Sequence, residues 1–289
     1  MSIVEHALEK SRAGQKSRQS QAVGRRGGND AAVGADPAAT IDSALRIRPL
    51  HMALDAASCR ERRVLLHDFA EKDAAAVAAY SMLRTRLLHR VRAKQWTTIG
   101  VTSADQNDGK TLTALNLAIS MAREKSREIV LLDMDMRNPS VFRTLGIRPT
   151  IELSKYLETG EGGREMFVSA CSDNLLIAGS SSPTEHASEL LASPRFEHLL
   201  NVVRKGTVDP VVILDLPPVL LTDDALVVAP KIDAFLFVTS EGLTSRADLA
   251  KALNVLAEFP IAGVALNRAL ASTPAYDYDY TRAAEKVQP

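Results

Sequence analysis

"VTSADQNDGKTLTALNLA", residues 101–118, decides the fold: a short apolar strand turns through a polar loop into a helical pattern, with Gly109-Lys110-Thr111 at the bend. A phosphate-binding loop is written G-x-x-x-x-G-K-[ST]. Here Ala104 stands at the first glycine, and Asp105, Gln106, Asn107 and Asp108 fill the middle. After glycine, asparagine is among the residues that best tolerate positive φ, so Asn107 lets such a loop turn with fewer glycines. A G-K-[ST] tripeptide alone arises by chance in roughly one chain in seven of this length. The strand before it and the helix after it supply the context that makes the motif meaningful.

Working outward, short apolar runs recur at 98–103, 128–133, 174–178, 210–215, 234–239 and 261–266, separated by helix-length segments such as 111–125 and 244–258. Near-continuous apolar strands are what a parallel sheet covered on both faces requires. The expected fold is therefore α/β, a doubly wound and mostly parallel sheet with helices on both faces. In such sheets ligands bind beyond the carboxyl ends of the strands. After the first strand, the amides from Ala104 through Asn107, Asp108 and Gly109 into Lys110, Thr111 and Leu112 form a helix N-terminus suited to phosphate oxygens. Lys110 would reach the β- and γ-phosphates and Thr111 would bind Mg²⁺. "IVLLDMDMRNP" puts Asp133 and Asp135 at the next strand tip, with Arg137 beyond; two carboxylates there suit a hard cation or a proton acceptor. "VVILDLPP" ends on Asp215, stopped by Pro217 and Pro218, the position from which an acidic residue meets Mg²⁺ in phosphate-loop enzymes. A single strand-end aspartate is more simply a helix N-cap or turn residue. Both together with a GKT loop favour a site for nucleotide and metal.

The 289 residues are 46% apolar, enough for a full core, and Lys plus Arg equals Asp plus Glu at 35 each. No global basic field draws the chain to nucleic acid. Cys59 and Cys171 are the only cysteines, which excludes a disulfide framework and fits a reducing compartment. No apolar run approaches the roughly 20 residues of a membrane span, and residues 1–12 lack the apolar stretch of a signal peptide, so a cytoplasmic protein is expected. Residues 3–10 place Ile3, Val4, Ala7 and Leu8 on one face of a short helix, whereas 11–40 have almost no large apolar side chains and should be disordered. Residues 41–70 are mixed and carry no clear pattern. From 74 to 92 the pattern is helical, with Val77, Tyr80, Leu83, Leu87 and Leu88 on one stripe. The expected organisation is a short helix at 1–12, a largely disordered or irregular linker at 13–73, a nucleotide-binding domain at 74–270, and a flexible tail at 271–289.

With these segments in order, the chain resembles, over about residues 74–280, the bacterial tyrosine kinases of capsule and exopolysaccharide machinery, within the Min- and Par-type ATPases of altered phosphate loop. The family's second motif, D-x-D-x-R-x-P, is met by Asp133, Asp135, Arg137 and Pro139; its third, D-T-P-P, by Asp215, Pro217 and Pro218 with Leu216 in place of threonine. "TDDAL" at 222–226, "DAFLFVTSEGLT" at 233–244 and "GVALNR" at 263–268 are similar to family segments. The resemblance implies an ATP-dependent protein-tyrosine autokinase regulating exopolysaccharide or capsule synthesis or export. Lys110, the loop amides and Arg137 would hold ATP, and Asn267 would contact adenine. Thr111 and Asp215, with Asp133 beside them, would organise Mg²⁺. Asp133 would accept the proton of an incoming tyrosine, and Asp135 would assist at the metal or phosphate. Tyr276, Tyr278 and Tyr280, three of the chain's five tyrosines, are the implied phosphoacceptors.

The family's E-x-x-R-x-x-R subunit-contact motif aligns with Ala78, Ser81 and Arg84, so only its last position matches and homo-oligomer assembly stays open. The resemblance also implies a separate membrane-embedded polysaccharide co-polymerase as activator, which would recruit a cytoplasmic chain to the inner face of the membrane. Two other readings stand beside this one. One is a Min- or Par-type ATPase switch, although those ATPases usually carry an extra lysine early in the loop, where Asp105 or a neighbour stands here. The other is a non-catalytic nucleotide-binding scaffold of the polysaccharide machinery.

Overall fold

The computed structural model describes residues 50–66, 73–205 and 209–269. A two-residue strand β1 (Leu50–His51) and helix α1 (Ala56–Glu61) precede the long helix α2 (Ala74–Lys94). Strand β2 (Thr98–Ser103) leads into α3 (Lys110–Met121), and β3 (Ile129–Asp133) into the short helices α4 (Val141–Leu145) and α5 (Leu153–Thr159). Next come β4 (Val168–Ser169), β5 (Leu175–Ala178), α6 (Ala187–Ala192) and α7 (Pro194–Lys205). Strand β6 (Val211–Asp215), helix α8 (Asp224–Val228), β7 (Ala234–Ser240), α9 (Arg246–Val255) and β8 (Ile261–Asn267) complete the described chain.

The strands form one sheet in the order β1-β4-β5-β3-β6-β2-β7-β8. Every neighbouring pair is parallel except β4 with β5. Alternation along each central strand feeds two separate cores. Val211 and Ile213 join the layer under α2 and α3, while Val212 and Leu214 join the layer under α5, α7 and α9. Because both faces are covered, both sets must be apolar, which is why the strand reads as an unbroken run. The six strands expected from the sequence are all present, each within one residue at either end. Helix α3 stops at Met121 rather than 125, since Arg123, Glu124, Lys125 and Arg127 offer no apolar face to bury.

The stretch 13–73 is not irregular throughout. Residues 50–66 form β1 and α1 and pack Cys59 and Val64 into the α2–α3 core. Within α3, Asn116 receives the Leu65 N–H at 2.9 Å and donates to the Arg63 carbonyl at 3.0 Å, so a buried amide substitutes for strand pairing. The folded unit thus begins earlier than residue 74. The expected helix at 1–12 and the tail at 271–289, with Tyr276, Tyr278 and Tyr280, lie outside the described residues.

Candidate nucleotide site

The carboxyl ends of β3, β6, β2, β7 and β8 lie side by side in the sheet, and the loops leaving them build one site. The loop after β2 enters α3 through Gly109, whose φ of 86° is left-handed. A side chain there would also displace the Asn267 amide nitrogen, 2.0 Å from where its Cβ would lie, but it is the left-handed φ that favours glycine. Asn107 takes the second positive φ of the loop, 65°, in place of the missing glycine. Ala104 is fully buried in the core, where a methyl group fits.

The loop is braced from the neighbouring strand ends. Asp108 accepts from the Thr244 hydroxyl at 2.6 Å and from the Asp105 N–H at 3.2 Å. Its carbonyl accepts from the Ser240 hydroxyl at 2.8 Å and the Asn267 amide at 2.9 Å, and Arg268 donates to the Asn107 carbonyl at 2.9 Å. The Asp108 side chain is thus turned inward as a brace; the Asp105 and Gln106 N–H groups are taken up by the loop's own carboxylates, and those that follow into the first turn of the helix form the mouth. Asn267 lies against the loop backbone itself.

On the other side stand the carboxylates. Asp133 and Asp215 are register partners across β3 and β6, both essentially without solvent contact. Their surroundings differ. Asp133 Oδ2 accepts the N–H groups of Ser140 and Val141 at 2.8 and 2.9 Å, capping α4, and Oδ1 accepts the Asp135 N–H at 3.2 Å. Gly179 backs it so closely that a Cβ there would lie 2.8 Å from the Asp133 Cβ. Neither oxygen of Asp215 makes a hydrogen bond, although the Thr111 hydroxyl is near enough to hold its pKa down. Burial raises the pKa of both groups, and for Asp133 the neighbouring Asp215 raises it further. Both acids are therefore held above the ordinary carboxylate range.

Lys110 reaches from the start of α3 to Asp135 Oδ2 at 2.8 Å, nearly buried. Burial alone would lower its pKa, but Asp215, Asp135 and Asp133 together raise it, so the ammonium stays charged. Thr111 accepts from the Ser140 hydroxyl at 3.0 Å, joining the phosphate-type loop to the β3 loop. Leu112 follows in the same first turn of α3.

Arg137 does not face Lys110. It forks onto Asp224 through Nε and Nη2 at 2.9 and 3.1 Å, and Nη2 also donates to the Ser188 hydroxyl at 3.0 Å. Ser188 in turn donates to Asp224 at 2.5 Å and lies 3.0 Å from Asp223. Asp224 is fully buried. Sequence reasoning missed this network. The signal was present in "TDDAL", but a partner 87 positions away leaves no trace in spacing.

Asp215 is a fully buried carboxylate whose polar neighbours are the Thr111 hydroxyl and the Lys110 ammonium, so its oxygens have lone pairs left for a further ligand. Nucleotide with Mg²⁺ fits, since Mg²⁺ is commonly held by one or two protein oxygens together with phosphates and water. Among the described residues no group of three or more His, Cys, Asp or Glu side chains is arranged to hold a metal alone. Sheet, loop and carboxylates together define a phosphate-loop nucleotide-binding fold.

Comparison with known proteins agrees. The family model described as "ParA: NUBPL iron-transfer P-loop NTPase" matches residues 95–280. The chain is 31% identical over 176 residues to the tyrosine-protein kinase CpsD of Streptococcus pneumoniae serotype 4, covering 59% of this chain and 75% of CpsD. It is 30% identical over 179 residues to the tyrosine-protein kinase YwqD of Bacillus subtilis, covering 62% and 74%. The kinase domain of the Escherichia coli tyrosine kinase ETK superposes with a TM-score of 0.63 over 80% of this chain and 93% of that domain, at 24% identity, which speaks to the fold. The chain belongs to the bacterial tyrosine-protein kinases within the ParA-type P-loop NTPases.

Proposed function

We propose that this chain is an ATP- and Mg²⁺-dependent protein-tyrosine autokinase that modifies Tyr276, Tyr278 and Tyr280 and regulates exopolysaccharide or capsule synthesis or export. The observation that carries the reading is Asp215, buried and unsatisfied beside charged Lys110 at the mouth of the loop. Bound nucleotide with Mg²⁺ would supply the phosphoryl group and neutralise its charge. The amides of residues 104–112 would hold phosphate oxygens, and Thr111 and Asp215 would provide the protein ligands of the metal, with Asp133 behind them. Lys110 would leave Asp135 for the phosphates, and Asp135 would then orient the metal's surroundings. Asp133, whose pKa burial and the Asp215 charge push up to about 8, would be the acceptor of the tyrosine proton once bound cations brought that pKa down and ionised it. Asn267 would contact the base and Arg137 the phosphates, each having first to leave its present partner, the Asp108 carbonyl and Asp224. Catalysis would rest on positioning and charge neutralisation.

In this reading residues 271–289 are the acceptor tail and residues 1–12 a docking helix. The activator is a membrane-embedded polysaccharide co-polymerase on a separate chain, which brings the kinase to the inner face of the membrane. Among the described residues no helix is long and apolar enough to cross a membrane. Incubating the purified protein with ATP and Mg²⁺ should produce phosphotyrosine at residues 276–280, absent in Lys110→Met. No phosphotyrosine, even with the cytoplasmic part of the membrane partner added, would overturn it. The scaffold reading draws on two observations: Lys110 is already paired with Asp135, and Asp133 already serves as a cap. It is separated by the same assay, as tight ATP binding without transfer.

A further inference from the structure

Where α2 passes the carboxyl end of α3, the surface opens into a cavity of about 420 Å³. Its walls carry Arg84, His89 and Arg92 from α2 and Arg123 from the turn after α3; Leu88 forms an apolar floor, and Glu124 is the only acid. Arg84 is fixed by a 2.9 Å bond to the Ser120 carbonyl, which uses one of its five donors. Arg92 pairs with Glu124 at 3.0 Å. Arg123 and His89 make no hydrogen bond or ion pair among the described residues. Three arginines thus line one hollow, in a chain with no net charge, and the hollow has room for an aromatic side chain with its phosphate.

Guanidinium groups recognise phosphate by forked hydrogen bonds and stack on aromatic rings, so arginines around an apolar floor favour an aromatic phosphate monoester over a bare ion. The complementary segment is in this chain: "AYDYDYTR" places Asp277 and Asp279 between Tyr276, Tyr278 and Tyr280. It also has the reach. Arg268, just after β8, touches the Asn107 carbonyl beside the amino end of α3. A helix of 12 residues is about 18 Å long, and the 12 residues from 269 to 280 can span up to about 40 Å.

We propose that the Arg84–Arg92–Arg123 cavity is a docking site for the phosphorylated tyrosine tail of this chain, separate from the site where the phosphate would be transferred. The choice of ligand rests on the tail being the phosphoacceptor. Phosphorylation at one end of α3 is then read at the other, and the modified tail is parked away from the nucleotide.

The test uses the full chain with Tyr276, Tyr278 and Tyr280 changed to phenylalanine, so that its own tail cannot carry phosphate. The probe is a fluorescent synthetic peptide of residues 272–283, phosphorylated on its tyrosines. The expected result is saturable binding at least tenfold tighter than for the unphosphorylated peptide, unaffected by ATP with Mg²⁺. It should weaken at least tenfold in Arg92→Ala/Arg123→Ala and recover in part in Arg123→Lys. Equal binding of both peptides, full retention in the double variant or displacement by ATP would overturn the proposal. So would displacement by equimolar inorganic phosphate, the mark of a generic anion site, or capture by phosphatidylserine vesicles without peptide binding, the mark of a lipid surface. The peptide's phosphate is synthetic, so a negative result here leaves the kinase assay standing, and failure of that assay leaves this measurement interpretable.

Discussion

The segments after β3 and β6 begin alike, with an apolar run ending in a buried aspartate, and then part. After β3, Asp133 takes three backbone N–H groups and closes residues 133–141 into a tight turn before α4. After β6, Asp215 takes none, and Pro217 and Pro218 lead the chain flat against β2, where the Thr102 hydroxyl donates to the Pro217 carbonyl at 2.7 Å. The first aspartate is a structural member that remains near the chemistry. The second is held by no backbone donor, and its burial as an ion costs stability. Identical local patterns therefore assign different work, and the difference lies in which loop supplies N–H donors.

Substitutions should separate the two. The largest effect is expected for Asp133→Ala at pH 5, where the acid is protonated and the substitution strands the N–H groups of Ser140, Val141 and Asp135: about 3 kcal/mol of stability is lost, read as a fall in thermal midpoint of several degrees, and less at pH 8, because the raised pKa makes the buried acid costly there. A change below about 1 kcal/mol at pH 5 would mean the cap is dispensable. Arg137→Ala unties the two segments from each other, because Arg137 belongs to the first and its partner Asp224 follows the second. Leaving Asp224 buried and unpaired should cost about 2 kcal/mol, discounted because Arg137 is partly exposed; urea unfolding of the variant, and its rescue by Asp224→Asn, would check this.

Asp215→Asn should do the opposite and stabilise the ligand-free protein by about 1 kcal/mol. The sign follows from its raised pKa. Folding favours the protonated acid, so stability declines as pH rises from the unfolded carboxylate value through the higher folded one. The gain from asparagine should accordingly be greater at pH 8 than at pH 5, and thermal midpoints at the two pH values would show it; a gain that is constant with pH would contradict the assignment. The smallest effect belongs to Asn267→Ala, which removes one brace from the Asp108 carbonyl and should cost about 1 kcal/mol or less. Amide exchange in residues 105–109 should speed up before global unfolding does.

Much of this was legible in the sequence because the central strands are buried on both faces, which leaves continuous apolar runs. Asn107 was readable too, since its tolerance of positive φ is a property of one residue. The two-residue strands β1 and β4 were not, because a run that short has no period. Nor was α1, whose apolar contacts, Cys59 and the following Val64, are spaced by packing against α2 and α3. The Arg137–Asp224 fork and the Ser140–Thr111 contact were hidden for another reason: each joins loops that only the sheet order brings together. Strand-end chemistry announces candidates; donor supply decides what each does, and that depends on tertiary structure.

The central proposal is that Asp215 would help to hold a nucleotide-bound metal. It is tested most directly by titrating ATP into the wild-type chain and into Asp215→Asn, each with and without Mg²⁺, by calorimetry. Mg²⁺ should tighten ATP binding at least tenfold, about 1.4 kcal/mol, in the wild type and leave the variant unchanged. Equal tightening in both proteins would show that Asp215 has no part in holding the metal.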